Sequence, residues 1–396
     1  MRLGTCIALE IVTGLVALGA ASVGTAWAVE ELREPPGRPV VSRAVVTPPA
    51  PAGPPRTAAP STAIAAAPGR HEDATARPAP EPVRDPVRDP VRDPAPAVAT
   101  YTDPATWAFA GQLDEPLLAP LRTGKLTRVK FNRGGTSLSL RLDFDNGARA
   151  AFKPEQTHLH SNPRREIAAY RVDRLLGIGR VPPAIGRTFE LAEMVAAVDK
   201  SQKPSTRRLH DEMIARAGVT KGELSWWIPV LGDMYIGRSR VDSTDAIVTW
   251  RRWLKVGAVI PEERRALCEQ LSAMALFDFL IDNTDRWSGN NARASEDGGT
   301  LYFMDNTLAF SRSKRGHHKS HIYLSRVQKF SRRLVERLRS LTEAEVREVM
   351  ARDVEPFDRL LDDAQIKAMM SRRDVLLEYV DGLVAEHGAD RVLVFP

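Results

Sequence analysis

Asp282-Asn283-Thr284-Asp285-Arg286-Trp287-Ser288-Gly289-Asn290-Asn291 and, a little further on, Phe303-Met304-Asp305-Asn306-Thr307 are the two stretches on which the reading of this chain turns. In the first, Asp285 precedes Asn290 by five positions; in the second, Asp305 closes an apolar, strand-like run. Asp and Asn after a helix often do no more than cap turns. That bland reading leaves the spacing from Asp285 to Asn290 unexplained, and it leaves a second aspartate after a strand unexplained as well.

A chemistry that uses both is phosphoryl transfer, which needs a carboxylate to orient a hydroxyl and oxygen ligands for the divalent ions on nucleotide phosphates. The D-x-x-x-x-N spacing is that of a kinase catalytic loop, and Asp305 stands where a kinase places its metal-binding aspartate. Asp285 is therefore expected to be the catalytic carboxylate. Asp305 is expected to be the principal metal ligand, with Asn290 as a second ligand or a brace for the loop. Magnesium takes only one or two carboxylates beside phosphate oxygens and waters, so this modest set suffices.

Upstream residues fit the same chemistry. Gly134-Gly135-Thr136-Ser137 lies between two strand candidates, 129–131 and 138–144, where a glycine-bearing hairpin can turn backbone N–H groups toward phosphates. Lys153 ends the returning strand in Ala-Phe-Lys-Pro and can meet phosphates as a point charge. Glu166, on the helix that follows, flanks a stripe of Ala168, Val172, Leu175 and Leu176 and is placed to pair with Lys153.

The coarse structure supports a β-rich first part and a helical second part. Leu138, Leu140, Leu142 and Phe144 alternate with polar residues, Asp145-Asn146-Gly147 makes a hairpin turn, and 148–153 returns. Asn162 reads as a helix N-cap with Pro163 at the first helical position and Gly177 just past the end. An apolar helix is expected over 261–282, then a hairpin turning at Asp297-Gly298-Gly299, then amphipathic helices through 328–388. Trp226, Trp227, Trp250 and Trp253 are expected to pack an insert between the two parts, with a substrate platform as the alternative. The fold class is α+β: a two-lobed, atypical protein-kinase-like fold with a β-rich N-lobe and a helical C-lobe, over 101–396.

The rest of the chain is different in kind. Residues 1–29 are apolar and small, with Arg2 in front and Ala26-Trp27-Ala28 at the end, and read as a signal peptide or signal anchor. Residues 30–100 are a disordered proline-rich linker in which Pro-Val-Arg-Asp occurs three times between Pro82 and Asp93. Between Pro35 and Pro96 lie 17 of the 29 prolines and no aromatic residue. Such a tether has a reach of about 190 Å at about 3.1 Å per residue. The expectation is a membrane-anchored or exported domain, attached to the membrane through its N-terminal segment.

Net charge is +6, but no Lys/Arg block is interleaved with aromatics, so nucleic acid is not an expected partner. His317, His318 and His321 sit among Arg312, Lys314, Arg315 and Lys319, which favours a solvated basic loop over a metal site. Of the two cysteines, Cys6 is in the N-terminal segment, so the folded domain is expected to hold no internal disulfide.

At these residues the chain resembles the four-jointed and Golgi casein kinase family of atypical secretory-pathway kinases, over 134–310. The resemblance rests on Gly-Gly-Thr-x-Leu-x-Leu at 134–140, Ala-x-Phe-Lys-Pro at 150–154 and Glu166-Ile-Ala-Ala-Tyr-Arg-Val-Asp-Arg-Leu-Leu176. It continues through Arg180-Val-Pro-Pro-Ala-Ile-Gly-Arg187, Phe277-Asp-Phe-Leu-Ile-Asp-Asn-Thr-Asp-Arg286 and Met304-Asp305-Asn306. It implies that Lys153 contacts nucleotide phosphates, Glu166 pairs with it or helps bind metal, Asp285 is the catalytic aspartate and Asp305 a ligand for Mg2+ or Mn2+. It also implies ATP as donor, and as acceptor a Ser or Thr of an exported protein or a hydroxyl of a glycan. Where the family commonly has two histidines after the Asp-Arg pair, this chain has Trp287-Ser288, and Thr307 replaces a glycine. Those departures keep two alternatives open: a phosphoinositide or small-molecule kinase, or a pseudokinase module that binds nucleotide or glycan without turnover.

Overall fold

The structure, a computed structural model, describes residues 99–132, 136–287 and 291–396. The N-terminal segment, nearly all of the proline-rich linker, Gly134, Gly135 and Asn290 lie outside the described residues.

Helix α1 (Asp114–Thr123) precedes a sheet built from β1 (Leu126–Phe131), β2 (Leu140–Phe144), β3 (Arg149–Pro154), β4 (Ala184–Glu190) and β5 (Val219–Trp226). The strand order is β1-β2-β3-β5-β4, antiparallel throughout, with the short strand Ala215–Arg216 also paired to β5. The β2–β3 turn forms where Asp145-Asn146-Gly147 predicts it: Gly147 has φ 82°, and the Asn146 side chain accepts from the Ala148 N–H at 3.1 Å.

Strand periodicity decides what each face does. Ala150 and Phe152 are fully buried, and Phe152 packs edge-on against Phe189. Ala151 and Lys153, on the opposite face, line the cleft described below. In register with them across β5 stand Ser225 and Glu223.

Helix α2 (Pro163–Leu175) begins as its sequence predicts. Asn162 caps it by accepting from the Arg164 N–H at 3.1 Å, Pro163 opens it, and Gly177 follows with φ 68°. Its interior departs from expectation, because the helix is buried on every side, charged residues included. Arg174 donates to Asp114 at 2.7 Å, and Tyr170 donates to the same carboxylate at 2.9 Å. Asp173 accepts from the backbone of Arg180 at 3.0 Å and of Val181 at 3.2 Å. Arg171 reaches the carbonyls of Val349 at 2.7 Å and Asp353 at 3.0 Å. Each of these buried charges meets a partner, as burial requires, and Arg171 and Arg174 find theirs in distant segments.

The helical part follows. After β6 (Gly232–Asp233) comes α3 (Thr244–Trp253), and then α4 (Arg265–Ile281) starts later than the sequence suggests, because Pro261 leads a 3-10 turn over Glu262–Arg264. Asp282 ends α4 in the left-handed region, φ 57°. Strands β7 (Ala292–Ala294) and β8 (Leu301–Phe303) form the expected hairpin, to which β6 adds in the order β8-β7-β6.

Helices α5 (His318–Leu324), α6 (Arg332–Ser340), α7 (Glu343–Ala351) and α8 (Asp363–His387) follow, with a last short turn of helix over Ala389–Val392. The buried Arg372 of α8 donates to the Leu280 carbonyl of α4 at 2.8 Å. Trp250 is wholly buried and donates its indole N–H to the Val241 carbonyl at 3.1 Å. Cys268 is free and buried, and its burial pushes the thiol up to about 11. No helix among the described residues is long and apolar enough to cross a membrane.

Candidate active site

Three elements remote in sequence meet at one ammonium group. Lys153 projects from β3, Glu166 from the first turn of α2, and Asp305 from the residues just after β8. The Lys153 Nζ lies 2.5 Å from Glu166 Oε1 and 2.8 Å from Asp305 Oδ1. Sequence reasoning expects the pairing with Glu166; the direct bond to Asp305 is added by the structure. Burial alone would lower the Lys153 pKa, but the two carboxylates raise it above the ordinary lysine value, so the group stays charged. Lys153 in turn holds Asp305 below the usual carboxylate range.

The three side chains differ in access to solvent. Glu166 is 8% exposed and Lys153 15%, whereas Asp305 is 43% exposed and presents its carboxylate to the cleft. Asp305 has φ 58°, a left-handed conformation that a residue with a Cβ keeps only where its surroundings hold it. The surroundings are specific here. The Asn283 amide donates to the Asp305 carbonyl at 3.1 Å, Thr307 Oγ1 donates to its carboxylate at 3.2 Å, and the next N–H, of Asn306, donates to Glu166 Oε2 at 2.9 Å.

A second layer lies behind that segment. Asn306 Oδ1 accepts from Arg286 at 2.7 Å and from Asn283 at 3.1 Å. The Arg286 guanidinium also holds Asp278 through contacts of 3.1 and 3.2 Å, and both side chains are buried. Asp285, between Asn283 and Arg286 in space as in sequence, is oriented by its neighbours. Its N–H donates to Asn283 Oδ1 at 3.1 Å, and the Asn291 amide donates to its carbonyl and to its Oδ2, each at 3.0 Å.

A cleft of about 920 Å3 brings Thr136, Lys153, Glu166, Asp285 and Asp305 to one surface. Asn290, Gly134 and Gly135 fall outside the described residues, so of the expected glycine hairpin only Thr136 and Ser137 are placed, both lining the cleft. Sequence reasoning missed several groups that line the same cleft. Glu223, opposite Lys153 across the β3–β5 pair, is buried, and its carboxyl is raised well above the ordinary value by that burial and by the nearby Glu166 charge. Its only sequence signal is a charge in the middle of a strand. Asn291 and the pair His158 and His160 also line the cleft.

Trp226 and Trp227 line it too. Of the two expectations for this pair, packing of an insert or a surface for a ligand, their place at and just after the end of β5 fits the second. Ala151, Ala184, Ile228, Leu231 and Met304 give the cleft an apolar wall beside its charged floor. Among the described residues no group of three or more His, Cys, Asp or Glu side chains is clustered to hold a metal by itself.

Residues 109–209 match the family model described as Fam20C: Golgi casein kinase, C-terminal, Fam20. That match covers about a quarter of the chain. Over 102 residues, 22% of this chain, it is 34% identical to the extracellular serine/threonine protein kinase FAM20C of Homo sapiens, covering 18% of that protein. Over 238 residues, 49% of this chain, it is 25% identical to the glycosaminoglycan xylosylkinase of Danio rerio, covering 56% of it. The matched parts thus span about half or less of these Fam20 relatives. A crystal structure of the Golgi casein kinase with Mn/ADP bound superposes with a TM-score of 0.54 at 18% identity, covering 71% of this chain and 78% of that one. At that identity the likeness speaks for the fold alone, an α+β fold shared with that kinase structure.

Proposed function

We propose that this chain is an atypical kinase that transfers the γ-phosphoryl group of ATP to a hydroxyl, on a Ser or Thr of a protein or on a glycan. The observation that carries the reading is the meeting of Lys153, Glu166 and Asp305 at one ammonium, in a cleft that also holds Asp285. The donor set fits Mg2+ or Mn2+: hard carboxylate oxygens, with Asp305 held ionised by Lys153 and open to the cleft. When bound, the nucleotide and its metal supply the phosphoryl group and neutralise charge developing on it.

This chain's own residues do the rest. Lys153 gives the phosphates a fixed positive charge, and Glu166 holds that lysine in place. Asp305, with Glu166 and Asn290, would hold the ion. Thr136 and the glycines before it would close over the phosphates. Asp285, fixed by Asn283 and Asn291, orients the acceptor hydroxyl and takes its proton. The apolar wall of Ala151, Ala184, Ile228 and Met304 suits a flat nucleobase. The kinship with an extracellular kinase supports a domain outside the cytoplasm, exported or anchored by residues 1–29 and carried on the 30–100 tether.

The test is transfer of labelled phosphate from ATP by the full-length chain with Mg2+ or Mn2+, offered protein, glycan and phosphoinositide acceptors. Asp285→Ala and Asp305→Ala are run alongside. Transfer that both substitutions abolish supports the reading. Nucleotide that binds but stays intact for hours would make the domain a binding module, and no nucleotide binding would overturn the assignment of the cleft.

A further inference from the structure

A second cavity, of about 550 Å3, lies beside the first turn of α2 and is lined by four arginines, Arg164, Arg165, Arg312 and Arg359, with Asp362 as its one carboxylate. Three of the four have acidic partners. Arg164 contacts Asp358 at 2.7 Å and Glu155 at 3.2 Å, Arg312 contacts Asp362 at 2.6 Å, and Arg359 lies 3.4 Å from Asp358. Arg165 is the exception. Its Nη1 donates to the Thr307 carbonyl at 3.2 Å, while its Nε is buried without a hydrogen-bond partner among the described residues.

A partly buried guanidinium that no carboxylate among the described residues contacts directly, and whose Nε has no hydrogen-bond partner among them, is favoured by an anion that completes it. Burial accordingly pulls the Arg165 guanidinium below its ordinary pKa, against the opposing pull of Asp362. Asp362 is not available to complete it. Its carboxylate is engaged by Arg312 and, as the cap of α8, accepts from the Gln365 N–H at 2.8 Å.

We propose that this cavity is an anion-binding site for a tetrahedral oxyanion, a phosphate or sulfate dianion, either free or carried as a monoester. Guanidinium groups match such oxygens with paired, charge-assisted hydrogen bonds, and four guanidiniums around one volume provide more donors than the local carboxylates use. The N-terminus of α2 adds a favourable dipole end to the same volume. The site stands apart from the cleft although the two are neighbours. Arg165 faces the cavity while Glu166, the next residue, faces the cleft, so its existence does not depend on the cleft transferring phosphate.

The test is a calorimetric titration of the full-length chain with sodium sulfate and with phenyl phosphate, at ionic strength held constant with sodium chloride. The expected result is saturable binding of one dianion. Arg312→Ala combined with Arg359→Ala should weaken it about tenfold or more, Arg165→Ala should remove it, and Lys153→Met should leave it unchanged. Arg312 and Arg359 are exposed, so their double variant keeps the test decisive even if Arg165→Ala fails to fold. Tighter binding of phenyl phosphate identifies a carried monoester, and tighter binding of sulfate a free ion; both support the site. Unchanged affinity in the double variant, loss of binding with Lys153→Met, or an equal response to chloride would overturn it.

Discussion

Asp285 and Arg286 are adjacent in sequence, as are Asp305 and Asn306, yet the two members of each pair live in different regions. The first of each lines the cleft; the second is buried in the network of Asp278, Asn283, Arg286 and Asn306 behind it. In the cleft, the Asp305 carboxylate is partly open to solvent. Behind it, hydrogen bonds join the residues to one another, and Arg286 is wholly enclosed. A motif that looks like one unit thus divides into cleft lining and buried scaffold. Substitutions within it are expected to separate activity from stability.

The largest expected effect is on the chemical side. Asp285→Asn should cut the transfer rate about 10²- to 10⁴-fold, the range for loss of a general base, while the unfolding midpoint moves little. Rate assays and denaturation on the same preparation check both halves, and normal turnover would remove Asp285 from the mechanism. One position on, the pattern should invert. Arg286→Met leaves the buried Asp278 without its counter-charge and should cost about 3–5 kcal/mol in urea unfolding. A small loss there would mean that Asp278 is neutral and the network weaker than its geometry.

A smaller effect is expected at the end of α4. The Asp282 carboxylate accepts from the His317 N–H at 2.7 Å and Ser320 Oγ at 2.9 Å, and Ser311 donates to it as well. Asp282→Ala strands those donors and places alanine at φ 57°, so about 1–3 kcal/mol of stability should be lost. Asp282→Asn, which tolerates the left-handed conformation, should lose less. Equal losses would show that the backbone conformation contributes nothing to the difference.

The same contrast explains what was legible in the sequence. Signals that act over a few residues were readable: the Asn146-Gly147 turn, the Asn162 cap with Pro163, and the hairpin of β7 and β8. Lys153, Glu166 and Asp305 could be named because their spacing to turns and strands is local, and the fold then brings the three together. What depended on distant partners was hidden. In sequence helix α2 showed only its stripe of Ala168, Val172, Leu175 and Leu176, and the arrival of Asp114 and of the Val349 and Asp353 carbonyls is what makes burial of Arg174 and Arg171 tolerable. Glu223 is silent in sequence for the same reason: its meaning comes from facing Lys153 across two paired strands. Asn291 was hidden because its hold on Asp285 depends on how the loop folds back, which spacing does not reveal.

A pH-dependent effect tests the buried network from within. Burial raises Asp278 to about 6, and Arg286 pulls it back only in part. An unfolded aspartate titrates near 4, so between about pH 4 and pH 6 the folded state holds a proton that the unfolded chain has released. Stability from this group is therefore greatest near pH 4, falls as pH rises through that window, and is level above about 6. The whole-protein curve mixes this with carboxylates of the opposite sign, such as Asp143 and Asp305, whose lowered values favour folding as pH rises. Comparison with Asp278→Asn isolates the term: the stability difference should shift in favour of the unsubstituted chain as pH is lowered from 7 to 4. A difference that stays flat would show that Asp278 remains ionised across the range. Arg286 would then outweigh burial, and the region behind the cleft would be held by a full ion pair rather than by a shared proton's hydrogen bonds.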